Sequence, residues 1–205
     1  MKSNLSYLYA IIDYETHQDL DLPFLIEHLL KQGVEIFQMR DNVNTDEQFK
    51  RWVRPLIQKM HSYDVKIIIN NRVEVVEELN AHGVHLGQED MDPKTARSKL
   101  GNQKIIGYST HNSFEIKKAN QLPVNYIGFG PIFKTNQKLE YGVRGLNELK
   151  SAIELSLHPV VAIGGIEFSH VSDLLGQGVW KIAMIQELTR YYDDIKLQKG
   201  AAHVT

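Results

Sequence analysis

The sequence contains no cysteine, no long apolar run and almost no net charge, and each absence excludes a class of function. Without cysteine, the chain has no disulfides, no thiolate metal site and no cysteine nucleophile. The formal net charge is -2, which gives no indication of a nucleic acid or a membrane surface as a partner. The apolar stretch near the N-terminus stops at Asp13 and Glu15, too early for a signal peptide or a membrane helix. A cytoplasmic location is therefore expected.

Linkers rich in glycine, proline or serine are also missing, so we predict one continuous domain over residues 1–205. Hydrophobic residues make up 42% of the chain and charged residues 23%, which is typical of a globular protein. These features are compatible with a homo-oligomer.

Eight short apolar runs, rich in branched and aromatic residues, are typical of buried parallel strands. Segments with helical periodicity lie between most of them, which predicts a single α/β domain with a (β/α)8 barrel. A doubly wound open sheet is the rival fold, but it usually carries a glycine-rich loop after its first strand, and here that strand ends I-I-D-Y-E. Tyr191 and Tyr192, beyond the last run, are expected at the surface. The runs are residues 7–13, 35–40, 66–71, 83–87, 104–110, 126–132, 159–165 and 180–186.

Polar and cationic side chains follow these strands, where a barrel places its active site. Gly164 and Gly165 follow strand seven, and small residues there let backbone N–H groups approach a phosphate. The loop after strand six, P-I-F-K-T-N-Q-K, adds Lys134 and Lys138 as flexible cations. His111 follows strand five and is a candidate acid or base, because its ordinary pKa lies near working pH. Other strand-end residues are Gln38, Arg40, Asn70, Asn71, Asp90, Ser109, Thr135 and Gln186.

The ordered motifs resemble those of thiamine phosphate synthase and of its close relative, the thiazole tautomerase. The matching stretches are F-Q-M-R, I-I-I-N-N-R-V, G-V-H-L-G-Q-E-D, I-I-G-Y-S-T-H-N, Y-I-G-F-G-P-I-F-K-T-N-Q-K, G-L-N-E-L and P-V-V-A-I-G-G-I. They run in the family's order from about residue 7 to residue 188. The resemblance implies the same barrel that the strand pattern predicts.

The resemblance also implies roles for individual residues. In the synthase, a pyrimidine pyrophosphate is joined to a thiazole phosphate with magnesium on the leaving pyrophosphate. Gln38, Arg40 and Asn70 would contact the pyrimidine substrate, and Asp90 would bind magnesium. Contacts to the two phosphate groups would come from Ser109 and Lys138 for pyrophosphate, and from Thr135, Gly165 and the Ile185–Gln186 backbone for the thiazole phosphate.

Four positions depart from the family pattern, and two of these departures, the loss of a lysine and of a metal carboxylate, weaken the part of the site that handles pyrophosphate. The pattern R-E-K reads Arg40, Asp41, Asn42 here, so one cation is missing. The aspartate of N-D-R, a magnesium ligand, is replaced by Asn71, and a carboxamide is a far weaker magnesium ligand than a carboxylate. The loop T-x-T-K loses one hydroxyl, and a serine after strand eight is replaced by Gln186.

These departures lead to three hypotheses. The first is a tautomerase-like enzyme of the thiazole branch of thiamine biosynthesis, which binds a thiazole phosphate, needs no cofactor and uses His111, Lys138 and Arg40 as catalytic residues. The alternative is an active synthase that uses Mg²⁺ at Asp90 and Asn71 and takes both substrates. The third is a non-catalytic or regulatory barrel that keeps only the phosphate pocket. Another phosphate-binding barrel, such as a ribose-phosphate isomerase, is disfavoured by the motif series.

Overall fold

Eight parallel strands form a closed barrel in the order of the sequence, and β8 pairs with β1 to close it. The structure is a computed structural model that describes residues 4–135 and 142–201. It confirms the predicted (β/α)8 barrel and excludes the open sheet. The strands are β1 Leu8–Asp13, β2 Ile36–Arg40, β3 Lys66–Asn70, β4 Gly83–Leu86, β5 Ile105–Thr110, β6 Tyr126–Phe129, β7 Val160–Ile163 and β8 Lys181–Met184.

Helices surround the barrel, and several begin at residues that are suited to cap them. Thr45 and Gln48 form a reciprocal capping box at the start of α3. Asp92 caps α4, which opens on Pro93, because proline needs no hydrogen-bond partner at a first helical position. The helices are α1 Tyr14–His17, α2 Leu22–Lys31, α3 Asp46–Met60, α4 Pro93–Leu100, α5 Ser113–Ala119, α6 Gly145–Leu155, α7 Val171–Gly176 and α8 Gln186–Ala201. Between β3 and β4 there is only a short 3-10 turn, Val73–Val75.

The prediction that Tyr191 and Tyr192 lie at the surface is wrong. Both belong to α8, where Tyr192 is buried in the core and Tyr191 packs against it. Leu188, Tyr192 and Ile195 are buried at intervals of four and three residues, which is the spacing of one face of a helix. The polar residues between these positions hide that period in the sequence.

Apolar side chains form two separate layers, one between barrel and helices and one inside the barrel. The interior layer contains two tyrosines, Tyr9 and Tyr126, in addition to aliphatic residues such as Ile11 and Val161. Interior side chains fill a barrel of this size and leave no pore, so a cavity can only open at one end. Among the described residues, none of the helices is both long and apolar enough to cross a membrane.

Candidate active site

An open cavity lies at the carboxyl ends of the strands, as the barrel fold predicts. Most of the residues singled out from the sequence line it together. Lys138 lies outside the described residues, whereas Asn71 and Asp90 are described but are not among the residues that line the cavity. The predicted residues in the lining are Gln38, Arg40, Asn70, Ser109, His111, Thr135, Gly165, Ile185 and Gln186, with Lys134 beside them.

Arg40 is held in the cavity by an ion pair with Asp13. The two residues are partners in the pairing of β1 with β2, so the ends of neighbouring strands bring them together. Asp13 is 1% exposed and also accepts hydrogen bonds from the backbone N–H and the hydroxyl of Thr16. The carboxylate is thus both neutralised and fixed, and the guanidinium is presented in one orientation.

The next residue, Asp41, organises a loop and does not line the cavity. Its carboxylate accepts from the backbone N–H groups of Val43 and Asn44, each at 3.0 Å. Arg72 donates to the carbonyl oxygens of Asp41 and Asn44, which ties this loop to the end of β3. Asn42, at the tip of the loop, is exposed and supplies no charge where the family pattern has a lysine.

A hydrogen-bonded chain of five polar side chains forms the floor of the cavity. Its links are Gln38 Nε2 to the Tyr9 hydroxyl at 2.9 Å, Tyr9 to the Tyr126 hydroxyl at 2.7 Å, Tyr126 to His85 Nδ1 at 3.0 Å, and His85 Nε2 to Ser109 Oγ at 2.9 Å. Burial raises the pKa of both phenols well above the ordinary value, so both are protonated at neutral pH.

Sequence reasoning missed Tyr9, Tyr126 and His85 as site residues. The glycine at position 107 is a sequence feature that could have pointed to Tyr126 and His85, because Gly107 on β5 lies against both side chains. A Cβ there would overlap the Tyr126 ring and lie 2.5 Å from His85 Nδ1. Glycine at that position therefore makes room for the stacked His85 and Tyr126 rings.

His111 has a carboxylate partner four residues later in the sequence, Glu115. Its Nδ1 lies 2.9 Å from Glu115 Oε2, and its backbone N–H donates to the same oxygen at 2.8 Å. Asn112 holds the other oxygen of Glu115 at 2.7 Å. A carboxylate that orients an imidazole is the arrangement expected for an acid or base.

Backbone groups form the side of the cavity near β7 and β8. Gly164 and Gly165 have φ values of 100° and 63°, which favour glycine. A Cβ on Gly165 would lie 2.7 Å from the carbonyl oxygen of Phe133 and overlap that of Lys134. Helix α8 begins at Gln186, so its N-terminus faces the same space, and such termini attract anions.

His17 supports this side from behind. Its Nδ1 accepts from the backbone N–H of Asp13 at 2.9 Å, so its Nε2 donates to the carbonyl oxygen of Ile185, 3.1 Å away. Burial lowers the pKa of His17. The neutral imidazole therefore fixes the residue that precedes α8.

Two carboxylates near the start of α8 have partners that offset their charge. Arg190 contacts Glu167 at 2.8 Å and Glu187 at 3.1 Å. Glu187 also accepts from the backbone N–H of Phe168 at 3.0 Å. These contacts reduce the repulsion that an incoming phosphate would meet.

A family model for thiamine monophosphate synthase matches residues 8–188 of the chain. The chain belongs to the thiamine monophosphate synthase family. Its relatives include the thiamine-phosphate synthase of Persephonella marina, 38% identical over 92% of this chain and 90% of the relative. That of Halalkalibacterium halodurans is 38% identical over 88% and 86%. The thiamine phosphate pyrophosphorylase structure from Pyrococcus furiosus superimposes with a TM-score of 0.78 at 28% identity, covering 95% of this chain and 98% of that one.

Membership of the thiamine monophosphate synthase family makes this chain an enzyme of thiamine biosynthesis. The non-catalytic barrel is therefore not supported. The relatives are named as synthases, so the comparisons favour the synthase alternative over the tautomerase hypothesis that the departures suggested.

The thiamine monophosphate synthase family implies magnesium, and two residues of this chain could help to hold it. Asn71 and Asp90 follow β3 and β4, which are neighbouring strands, so both supply oxygen donors at one rim. Asp90 already accepts from the backbone N–H of Gly87 at 2.6 Å. Within residues 4–135 and 142–201, no three acidic or histidine side chains cluster as a metal site. The donors thus fit an ion that takes most of its ligands from substrate phosphates and water.

Proposed function

We propose that this enzyme is an active thiamine-phosphate synthase, which joins a pyrimidine pyrophosphate to a thiazole phosphate and releases pyrophosphate. The observation that carries the proposal is the single cavity that combines Arg40 and Ser109 with Gly165 and the start of α8. The first pair suits a pyrophosphate, and the second suits a phosphate monoester. A tautomerase acts on one phosphorylated substrate and needs only the second pair.

Arg40 supplies the fixed positive charge on the pyrophosphate side. As the bond between the pyrimidine's methylene group and pyrophosphate breaks, negative charge grows on the leaving oxygen, and a preorganised cation stabilises that charge. Asp13 keeps Arg40 in place, so little reorganisation is needed. Bound magnesium would add further neutralisation of the leaving pyrophosphate, with Asp90 and Asn71 as its protein ligands.

The chain's own backbone supplies the second anion site. The Gly164–Gly165 turn and the N-terminus of α8 offer N–H groups and a helix dipole to a phosphate on the thiazole. Gln186 replaces a serine of the family pattern. A backbone site tolerates that replacement, because the N–H group does not depend on the side chain.

Gln38 and Asn70 line the same cavity and would orient the pyrimidine ring. Amide side chains carry both donors and acceptors, as an aminopyrimidine edge requires. Holding both substrates against each other lowers the entropic barrier to joining them.

The two-substrate assay tests the proposal. Purified protein with both substrates and Mg²⁺ is expected to release one pyrophosphate for each thiamine phosphate formed, and a chelator is expected to suppress the reaction. Asp90→Ala should reduce the rate at subsaturating Mg²⁺ more than at saturation. Glu89→Ala, which removes a neighbouring exposed carboxylate, is the matched control. Absence of product at any Mg²⁺ concentration would contradict the proposal.

The His111–Glu115 pair keeps a tautomerase activity as the second candidate. An oriented imidazole in the cavity can move a proton on a thiazole phosphate carboxylate without a metal. The discriminating assay follows isomerisation of that carboxylate in chelator, with His111→Asn as the variant. Turnover that survives chelator and is lost with His111→Asn would support this candidate.

A further inference from the structure

The chain of hydrogen bonds on the cavity floor links residues with different predicted roles. Gln38 lies at one end, among the pyrimidine contacts, and Ser109 lies at the other, among the pyrophosphate contacts. Tyr9, Tyr126 and His85 connect them through links of 2.7 to 3.0 Å. None of these three residues is among the proposed substrate contacts.

The amide at one end fixes the direction of the first two links. Gln38 Nε2 can only donate, so the Tyr9 oxygen accepts from it. Tyr9 is 1% exposed, and the only other partner of its hydroxyl among the described residues is the Tyr126 oxygen. A buried hydroxyl hydrogen without an acceptor is unfavourable, so Tyr9 donates to Tyr126.

The same reasoning gives the donor and the acceptor in the two remaining links, from Tyr126 to His85 and from His85 to Ser109. Tyr126 has used its oxygen as an acceptor, and its own hydrogen points to His85 Nδ1 at 3.0 Å. A neutral imidazole that accepts at Nδ1 carries its hydrogen on Nε2. His85 Nε2–H then donates to Ser109 Oγ at 2.9 Å. The hydroxyl hydrogen of Ser109 is left to donate toward the cavity.

We propose that Gln38, Tyr9, Tyr126 and His85 form a directional hydrogen-bond relay that fixes the Nε2–H tautomer of His85 and makes Ser109 a donor to a bound anion. Reversing the first link would reverse all of them, and Ser109 would then point its hydrogen at His85 and face an anion with lone pairs only. Tyr9, Tyr126 and His85 are thus positioning residues. Gly107 leaves the space in which the Tyr126 and His85 side chains meet.

The relay couples the two ends of the cavity. When Nε2 of Gln38 donates to Tyr9, the amide oxygen of Gln38 remains available to accept a hydrogen bond from a substrate amino group. The orientation that suits the pyrimidine is therefore the one that prepares Ser109 for pyrophosphate. This consequence rests on the proposed function, whereas the direction of the relay does not.

The tautomer of His85 can be read directly by NMR. In protein labelled with ¹⁵N-histidine, near pH 8.5 where imidazoles are largely neutral, about two units above their ordinary pKa, Nε2 should show the protonated shift and Nδ1 the unprotonated one. The signals of His85 are identified among those of the nine histidines as the ones that are lost in His85→Gln. If the wild-type protein carried the His85 hydrogen on Nδ1, the relay would be overturned.

Two variants test the relay itself. Gln38→Glu is recorded at a pH at which the introduced carboxyl group, labelled with ¹³C, is ionised. The carboxylate can only accept, so the His85 hydrogen should move to Nδ1. Tyr9→Phe removes the hydroxyl that joins Gln38 to Tyr126. Gln38→Glu in the Tyr9→Phe background should therefore leave the His85 hydrogen on Nε2. An unchanged tautomer in Gln38→Glu, or a reversal that persists in the double variant, would show that no relay exists.

Binding of inorganic pyrophosphate with Mg²⁺ tests the consequence at Ser109. Ser109→Ala should weaken binding about 10-fold, as expected for a hydrogen bond to a charged group, and Tyr9→Phe should weaken it less. Equal binding in wild type and Ser109→Ala would refute the anion-donor role. Because the NMR measurement needs no turnover, a failed two-substrate assay together with the predicted tautomers would refute only the proposed function.

Discussion

The two sides of the cavity mouth are built differently. Near β7 and β8, the proposed phosphate contacts come from backbone groups at Gly164, Gly165 and the start of α8. Near β2 to β4, the proposed pyrophosphate and magnesium contacts come from the side chains of Arg40, Asn71 and Asp90. A backbone site changes only where a new Cβ blocks it, whereas a side-chain site changes with every substitution of its charges. Asn42 and Asn71, which remove charge, accordingly both lie on the side-chain side.

Among the predicted effects, the largest is expected from substituting Arg40, whose side chain supplies the cation near β2. Arg40→Gln removes the fixed cation and should lower kcat/KM of the two-substrate reaction by about 100-fold or more. It also leaves the buried carboxylate of Asp13 uncompensated, which should reduce the free energy of unfolding by about 3 kcal/mol. Steady-state kinetics and urea unfolding measure the two effects.

A second substitution separates the two consequences of losing Arg40. Asp13→Asn in the Arg40→Gln background removes the orphaned charge, so stability should recover while activity stays low. Arg51→Gln, an exposed cation on α3, is the control and should change neither quantity. Recovery of activity along with stability would mean that Arg40 acts only through folding.

A substitution at Gly165 should disturb the backbone groups that are proposed to bind the thiazole phosphate. Gly165→Ala places a methyl group against the Phe133 and Lys134 carbonyl oxygens in a strained backbone conformation. The turn must shift, and we expect KM for the thiazole phosphate to rise about 10-fold with a smaller change for the pyrimidine substrate. Gly176→Ala is the control, because a Cβ there meets nothing within 4 Å. Equal increases in both KM values would show that the two sides are not separate.

The same contrast explains how much could be predicted from the sequence. All eight strands were predicted, because buried parallel strands are short continuous apolar runs. Helix α8 was missed, because a mostly polar helix is identified by contacts such as that of Tyr192 with the core, which only the fold supplies. Rim residues were found because they lie near or just beyond the carboxyl ends of strands. Tyr9 and Tyr126 were missed because inside a strand they look the same as core aromatics.

Restoring a charge on the side-chain side should have a moderate effect. Asn71→Asp exchanges a carboxamide for a carboxylate, and the Mg²⁺ concentration for half-maximal activity should fall about 3- to 10-fold. Asn80→Asp is a matched control, because Asn80 has the same left-handed backbone, φ 50° against 52°, yet it precedes β4, whereas Asn71 follows the carboxyl end of β3. Measuring the rate as a function of Mg²⁺ concentration gives the half-maximal concentration for each variant. If the two variants respond alike, Asn71 does not contact the metal.

The smallest effect concerns His17, which supports the backbone side from behind. A protonated imidazole would carry a hydrogen on Nδ1, where His17 must accept from the backbone N–H of Asp13. Burial lowers the pKa of His17 in the folded protein. The folded state therefore binds this proton less readily than the unfolded state, whose histidine pKa is about 6.5.

The sign of the pH dependence follows from that difference. The contribution of His17 to stability is complete above the unfolded pKa of about 6.5 and is lost as pH falls toward the lower folded pKa, with a limiting slope of about 1.4 kcal/mol per pH unit. His17→Gln keeps one acceptor and one donor but does not titrate, so its free energy of unfolding should decline less between about pH 7.5 and 5.5. Urea unfolding across that range measures both proteins. If the two curves ran parallel, His17 would not be the neutral link between Asp13 and Ile185, and the start of α8 would be supported by packing alone.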